Sequence, residues 1–215
     1  MAILAPGKRV VLIGDSHMEA LGPRLQRRLP LVSGVQVQQV VPRRGWSARR
    51  YVREGGIRPL TRGADVVVIE LGGNDASANV SPARHAQDVA TLMGQAAPAK
   101  VIWVGPGVTL RPDLEAARAP LRETQRRVVP AQGGAWIDAQ PMTLESDLRS
   151  DRVHFSAGGY TRWADLLAPA LAQVGIGAGR ANGNGGGLPV WVGPAILGGA
   201  AVIGLGLFLL SRRRR

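Results

Sequence analysis

Val10-Val11-Leu12-Ile13-Gly14-Asp15-Ser16-His17 decides how the rest of the chain is read. Its four apolar residues predict a buried strand that delivers the chain to a turn at Gly14. Beyond the turn, Met18, Leu21, Leu25 and Leu29 recur at helical spacing, so residues 17–29 are expected to form a helix. Ser16 then lies between a strand end and a helix start, where backbone N–H groups have no partner and point outward.

The same unit of strand, turn and helix recurs. Residues 64–71, Ala-Asp-Val-Val-Val-Ile-Glu-Leu, read as a continuous apolar strand ending in the turn Gly72-Gly73-Asn74-Asp75. Further strands fit residues 35–41, 100–104 and 135–138, and helices fit 81–96, 113–128 and 157–174. Such alternation predicts an α/β domain with a central parallel sheet and helices on both faces. Ser16, Gly45, Asn74 and residues 151–154 then meet at the sheet's carboxyl edge, where open α/β sheets bind ligands.

Those segments carry the groups that acyl transfer needs: a hydroxyl nucleophile, an imidazole base, a carboxylate to orient the base, and donors for the developing oxyanion. Ser16, His154 and Asp151 supply the first three. Asp151 and His154 are three residues apart, so one turn of chain can bring the carboxylate to one imidazole nitrogen and leave the other for Ser16. The Ser16 amide, the Gly45 amide and the Asn74 side-chain NH2 are the candidate oxyanion donors.

In this order, Gly14-Asp15-Ser16, Gly45, Gly72-x-Asn74-Asp75 and Asp151-x-x-His154 resemble the four sequence blocks of the SGNH or GDSL-type hydrolases, spread over most of residues 8–173. The resemblance implies a three-layer α/β/α, flavodoxin-like fold and a cofactor-free serine esterase. It implies Ser16 as nucleophile, His154 as base, Asp151 as its partner, and Ser16, Gly45 and Asn74 as the oxyanion hole. His17 departs from the family, where many members carry leucine. Histidine there goes with members acting on cell-envelope carbohydrate esters, which favours a short acyl group such as acetate on an envelope glycan or peptidoglycan. A lipid ester or thioester is the alternative substrate, and a non-catalytic structural or binding protein is the competing class.

His17 and Trp46 are candidate pocket residues, each with a packing role as the alternative. Asp15 and Asp75 are expected to cap or brace their loops, and His85 is expected to be a solvated helix residue. The three histidines are too scattered for a metal site, and with no cysteine there is neither a thiolate nucleophile nor a Cys-ligated metal.

The 215 residues suit one globular domain, residues 1–174, plus an appendage. The net charge is +12, and Lys8 and Lys100 are the only lysines. Because the arginines are scattered, the charge argues weakly for a nucleic-acid partner; a cluster around Gly45 could instead steer anionic substrates. Residues 175–187 are glycine-rich and are expected to be a flexible linker. Residues 188–210 contain no charge and are long enough to cross a hydrocarbon core of roughly 30 Å, and 211–215 form a basic tail. A single carboxyl-terminal membrane anchor is therefore expected, and Ala195, Gly199, Ala200 and Gly204 provide small-residue spacing through which two anchors could pair.

The sidedness stays open. The arginine tail argues for a cytoplasmic carboxyl terminus and an outward-facing domain. Residues 1–6, in contrast, are too short for a signal peptide ahead of the first strand. A membrane-containing virion would reconcile the two.

Overall fold

The pleat of each strand sends successive side chains to opposite faces, and in this chain both faces are apolar. In the computed structural model, which describes residues 7–174, β1 (Arg9–Gly14) turns Val10 and Leu12 into one core and Val11 and Ile13 into the other. The same alternation in β3 (Val66–Glu70) divides Val66 and Val68 from Val67 and Ile69. Runs of this kind are stable only when covered on both sides.

Five parallel strands, completed by β2 (Gln36–Pro42), β4 (Lys100–Val104) and β5 (Ala135–Ile137), stand in the order β2-β1-β3-β4-β5. Helices α1 (Ser16–Ser33) and α6 (Ala157–Val174) cover one face through Met18, Leu21, Leu25, Trp163, Leu167 and Leu171. The other face is covered by α2 (Ala48–Arg53), α4 (Pro82–Ala96) and α5 (Pro112–Ala131), with Tyr51, Val89, Leu92 and Val129 in its core. The short α3 (Gly73–Ser77) follows β3, and two single-turn 3₁₀ helices, Gln140–Met142 and Glu145–Asp147, lead towards α6.

This is the flavodoxin-like strand order, whose switch point lies between β1 and β3. Gly14 ends β1 and pairs with Glu70 at the end of β3. A Cβ on Gly14 would stand 2.8 Å from the Glu70 carbonyl oxygen and 2.7 Å from the Met18 Cβ, so only glycine lets the chain turn here. Helix α6 starts three residues after His154 at the carboxyl edge and finishes at the opposite edge. There the Val174 carbonyl accepts a 2.6 Å hydrogen bond from Lys100 Nζ, at the first residue of β4.

The predicted linker 175–187, membrane span 188–210 and tail 211–215 lie outside the described residues. Among those described, no helix is long and apolar enough to cross a membrane.

Candidate active site

Two turns meet at the switch point. Asp15 caps α1, its Oδ1 accepting from the His17 amide at 2.9 Å, and this leaves Ser16 as the first helical residue, half-exposed. Neither the Ser16 nor the Gly45 amide has an acceptor among the described residues. Gly45 adopts φ +70°, a left-handed conformation that glycine takes without steric cost, and a Cβ there would meet nothing within 4 Å.

The Ser16 Oγ lies 2.8 Å from His154 Nε2, and His154 Nδ1 lies 2.9 Å from Asp151 Oδ2. The other Asp151 oxygen accepts from the amides of Val153 at 2.9 Å and His154 at 2.8 Å. Partial burial opposes ionisation of Asp151, but these amides and the His154 ring outweigh it and hold the carboxyl down at about 2. An ionised carboxylate only accepts, so Nδ1 carries the imidazole proton and Nε2 is left to accept the Ser16 hydroxyl.

The His154 turn is held from outside. The Arg152 carbonyl accepts from the Leu110 amide and from Thr109 Oγ1, Arg149 N donates to the His154 carbonyl, and Leu148 bridges to Phe155. Arg152 sits at φ +61°, unusual for a residue with a side chain, and its carbonyl bonds hold it there. The Phe155 ring, 2% exposed, roots the turn in the core.

His17 lies beneath the site and does not line an open pocket. It is 4% exposed, its ring centre is 5.1 Å from that of His154, and its Nδ1 is 3.0 Å from the Tyr160 hydroxyl. The start of α1 directs this side chain between α1 and α6, where it packs with Phe155 and Trp163. Burial, with Arg118 and His154 nearby, pushes its pKa down to about 3, so it is a neutral packing partner of His154. Trp46 is half-buried with its ring edge-on to Tyr51, whose hydroxyl donates to the Gly14 carbonyl at 2.9 Å.

Asn74 is held more tightly than a lone amide on a turn. Its Nδ2 donates to Asp15 Oδ2 at 2.8 Å and to the Trp46 carbonyl at 3.2 Å, so both hydrogens are engaged in the absence of substrate. Asp75 ties the neighbouring loop down, accepting from the amides of Ala48 and Arg49.

Near Asn74 lies a buried charge cluster of which the sequence reading named only Asp15, as a cap. Asp15, Glu70 and Arg118 are each 2% exposed or less. Burial raises Asp15 to about 6, against the opposing pull of the His17 amide and Arg118. Burial and the adjacent Asp15 carboxylate push Glu70 well above the usual range. Burial of two neighbouring carboxyls with a single guanidinium nearby therefore favours retention of a proton. A glutamate within the otherwise apolar run 66–71 was the available signal.

His85 is a correction: it is fully buried, not solvated, with Nε2 3.0 Å from Gln125 Nε2 and Nδ1 3.5 Å from Asp75 Oδ1. Gln125 also donates to the Leu71 carbonyl, so this second polar group braces the strand end that carries Asn74. Among the described residues no group of three or more His, Asp or Glu side chains is placed to hold a metal ion.

A hydroxyl, an imidazole and a carboxylate linked in this way, at the switch point of a parallel sheet, have the arrangement of a serine hydrolase. The GDSL-like Lipase/Acylhydrolase family model matches residues 12–162, and the chain belongs to that family. It is a carboxylic ester hydrolase.

Similar solved structures include a lipase/acylhydrolase from Enterococcus faecalis, with 23% identity and a TM-score of 0.65 over 77% of this chain and 96% of that one. Another is a catalytic mutant of Axe2, an acetylxylan esterase from Geobacillus stearothermophilus, with 18% identity and a TM-score of 0.64 over 82% and 97%. At these identities the likeness is one of fold. No curated protein matches the chain.

Proposed function

We propose that the protein is a membrane-anchored serine esterase that removes a short acyl group, such as acetyl, from an envelope carbohydrate. The observation that carries the esterase part is the unbroken link from Ser16 Oγ through His154 to Asp151. His154 Nε2 takes the Ser16 proton as Oγ bonds to the acyl carbon, and the carbonyl electron pair moves to the oxygen. The amides of Ser16 and Gly45 receive that oxyanion. The Asn74 amide joins them by exchanging its longer bond, to the Trp46 carbonyl, for one to the oxyanion.

His154 then protonates the departing alcohol as the carbon–oxygen bond breaks, leaving an acyl-enzyme. Water attacks this ester, again giving its proton to His154. Ser16 leaves with that proton and the carboxylic acid is released.

A carbohydrate substrate is supported by the partial exposure of Ser16 and of Trp46, whose carbonyl accepts from Asn74. The uncharged residues 188–210 followed by four arginines support the anchor, and the side of the membrane that the domain faces stays open. The same anchor favours a second reading, a lipid ester as substrate.

Hydrolysis of p-nitrophenyl esters of increasing chain length by the full chain in detergent distinguishes them. Activity on acetate that fades with chain length and vanishes in Ser16→Ala and His154→Ala is the expected result. Activity rising with length selects the lipid reading, and equal rates in the variants and the parent overturn the mechanism.

A further inference from the structure

The residues between β2 and the end of α2 do more than supply the Gly45 amide. Arg43, Arg44, Arg49, Arg50 and Arg53 fall within residues 43–53, and all five are exposed. Arg44 is held by Glu19, whereas Arg43, Arg49, Arg50 and Arg53 have no carboxylate partner among the described residues. Helix α5 is arranged differently, with Arg111, Arg122 and Arg126 on Asp113, Glu115 and Glu123.

The unpaired arginines are fixed to the catalytic turns. The Arg43 amide donates to the Gly14 carbonyl at 2.9 Å, and the Trp46 carbonyl accepts from Asn74. The guanidinium carbons of Arg43 and Arg50 stand 5.4 and 4.9 Å from the Trp46 ring centre, so a half-exposed aromatic ring has two cations within cation–π range. Beside it runs a groove of about 320 Å³ lined by Ser47, Arg49, Arg50, Arg53, Glu54 and Val80.

Like charges one helical turn apart, such as Arg49 and Arg53, disfavour the bare protein, and an anion that pairs with both relieves the repulsion. Guanidinium forks take carboxylates in bidentate fashion.

Building on the carbohydrate esterase reading, we propose that this arginine lip, with its groove, is a subsite for an acidic glycan. It takes the carboxylates of sugar units next to the acylated one while Trp46 offers an apolar face. A nucleic acid fits less well, since it contains no carboxylic ester for the adjoining Ser16. A membrane surface also fits less well, because the described chain leaves the domain at the opposite edge of the sheet.

Binding and chemistry are separated by using full-length Ser16→Ala protein and measuring its equilibrium binding to oligogalacturonate, neutral xylo-oligosaccharide and single-stranded DNA. Oligogalacturonate alone is expected to bind, several-fold more weakly as salt rises from about 50 to about 300 mM. The double variants Arg49→Glu/Arg53→Glu and Arg49→Gln/Arg53→Gln should weaken it at least about tenfold with the circular dichroism unchanged. The charge-matched control Arg62→Glu/Arg127→Glu, at the far edge of the sheet, should not.

The subsite is overturned by no binding at low salt, by equal losses in the control, or by DNA binding as tightly as oligogalacturonate. Binding that persists in a protein whose parent hydrolyses no ester would overturn the esterase reading and leave the subsite standing. Hydrolysis without such binding would do the reverse.

Discussion

The two arms that meet at Ser16 are built in opposite ways. The Asp151–His154 arm is local and half in solvent: its carboxylate, its imidazole and two amides that fix the carboxylate come from four consecutive residues, and the His154 side chain is 34% exposed. The Asn74 arm is assembled across the fold, from Asp15 after β1, Glu70 and Asn74 around the end of β3, and Arg118 on α5, and its charged members are buried. Catalysis and stability are thus separable on one side of the nucleophile and entangled on the other.

Removing the exposed arm should give the largest effect on rate and the least on folding. His154→Ala and Ser16→Ala are expected to lower kcat/KM about 10⁴-fold. Their thermal midpoints should stay within a few degrees of the parent, because neither change leaves a fully buried polar group unpaired. A midpoint drop as large as that of the buried-arm variants would erase the contrast.

Asn74→Ala should cost about 10²–10³-fold in kcat. It should also lower stability by about 1–3 kcal/mol, because Asp15 Oδ2 loses its donor inside the fold. Denaturant unfolding beside single-turnover kinetics tests whether the two losses come together.

The buried carboxyls sharpen the comparison through pH. Asp15 is raised from 3.8 to about 6, so between those values the folded protein keeps a proton that the unfolded chain has released. Stability should therefore fall as pH rises through this window, with Glu70 extending the fall upwards. Glu70→Gln, which needs no proton to stay neutral, is expected to shrink the change in Tm between pH 4.5 and pH 8; an unchanged slope would remove Glu70 from the cluster. Gly45→Ala should have the smallest effect, about 1 kcal/mol of backbone strain and less than about tenfold in rate, since the side chain has room and the amide is retained.

This division also explains what was legible in the sequence. Val10–Ile13 and residues 64–71 announce a parallel sheet because their apolar runs are continuous, and residues 100–104 and 157–174 coincide with β4 and α6. The four motif segments are short and local, and the structure brings Ser16, His154 and Asp151 within hydrogen-bond reach.

What escaped depends on contacts distant in sequence. Helix α2 has only six residues, too few for a periodicity to register, and its start is fixed by the Ser47 hydroxyl accepting from the Arg50 amide. His85 stands four residues before Val89 and seven before Leu92, on the buried stripe of α4, so its position outweighed its polarity. Arg118, Leu121 and Gln125 likewise share the inward face of α5, but no local rule says that the polar members of that face serve the Gly107 and Leu71 carbonyls beyond the ends of β4 and β3.

Helix α6 connects the catalytic rim to the exit of the described chain: it begins just after His154 and ends at Val174, beside the first residue of β4. The domain is therefore polar in the geometric sense, with its working end and the last described residue of α6 separated by the height of the sheet. A support joined after Val174 would hold the enzyme from behind, and the serine would reach outward into whatever surrounds that support.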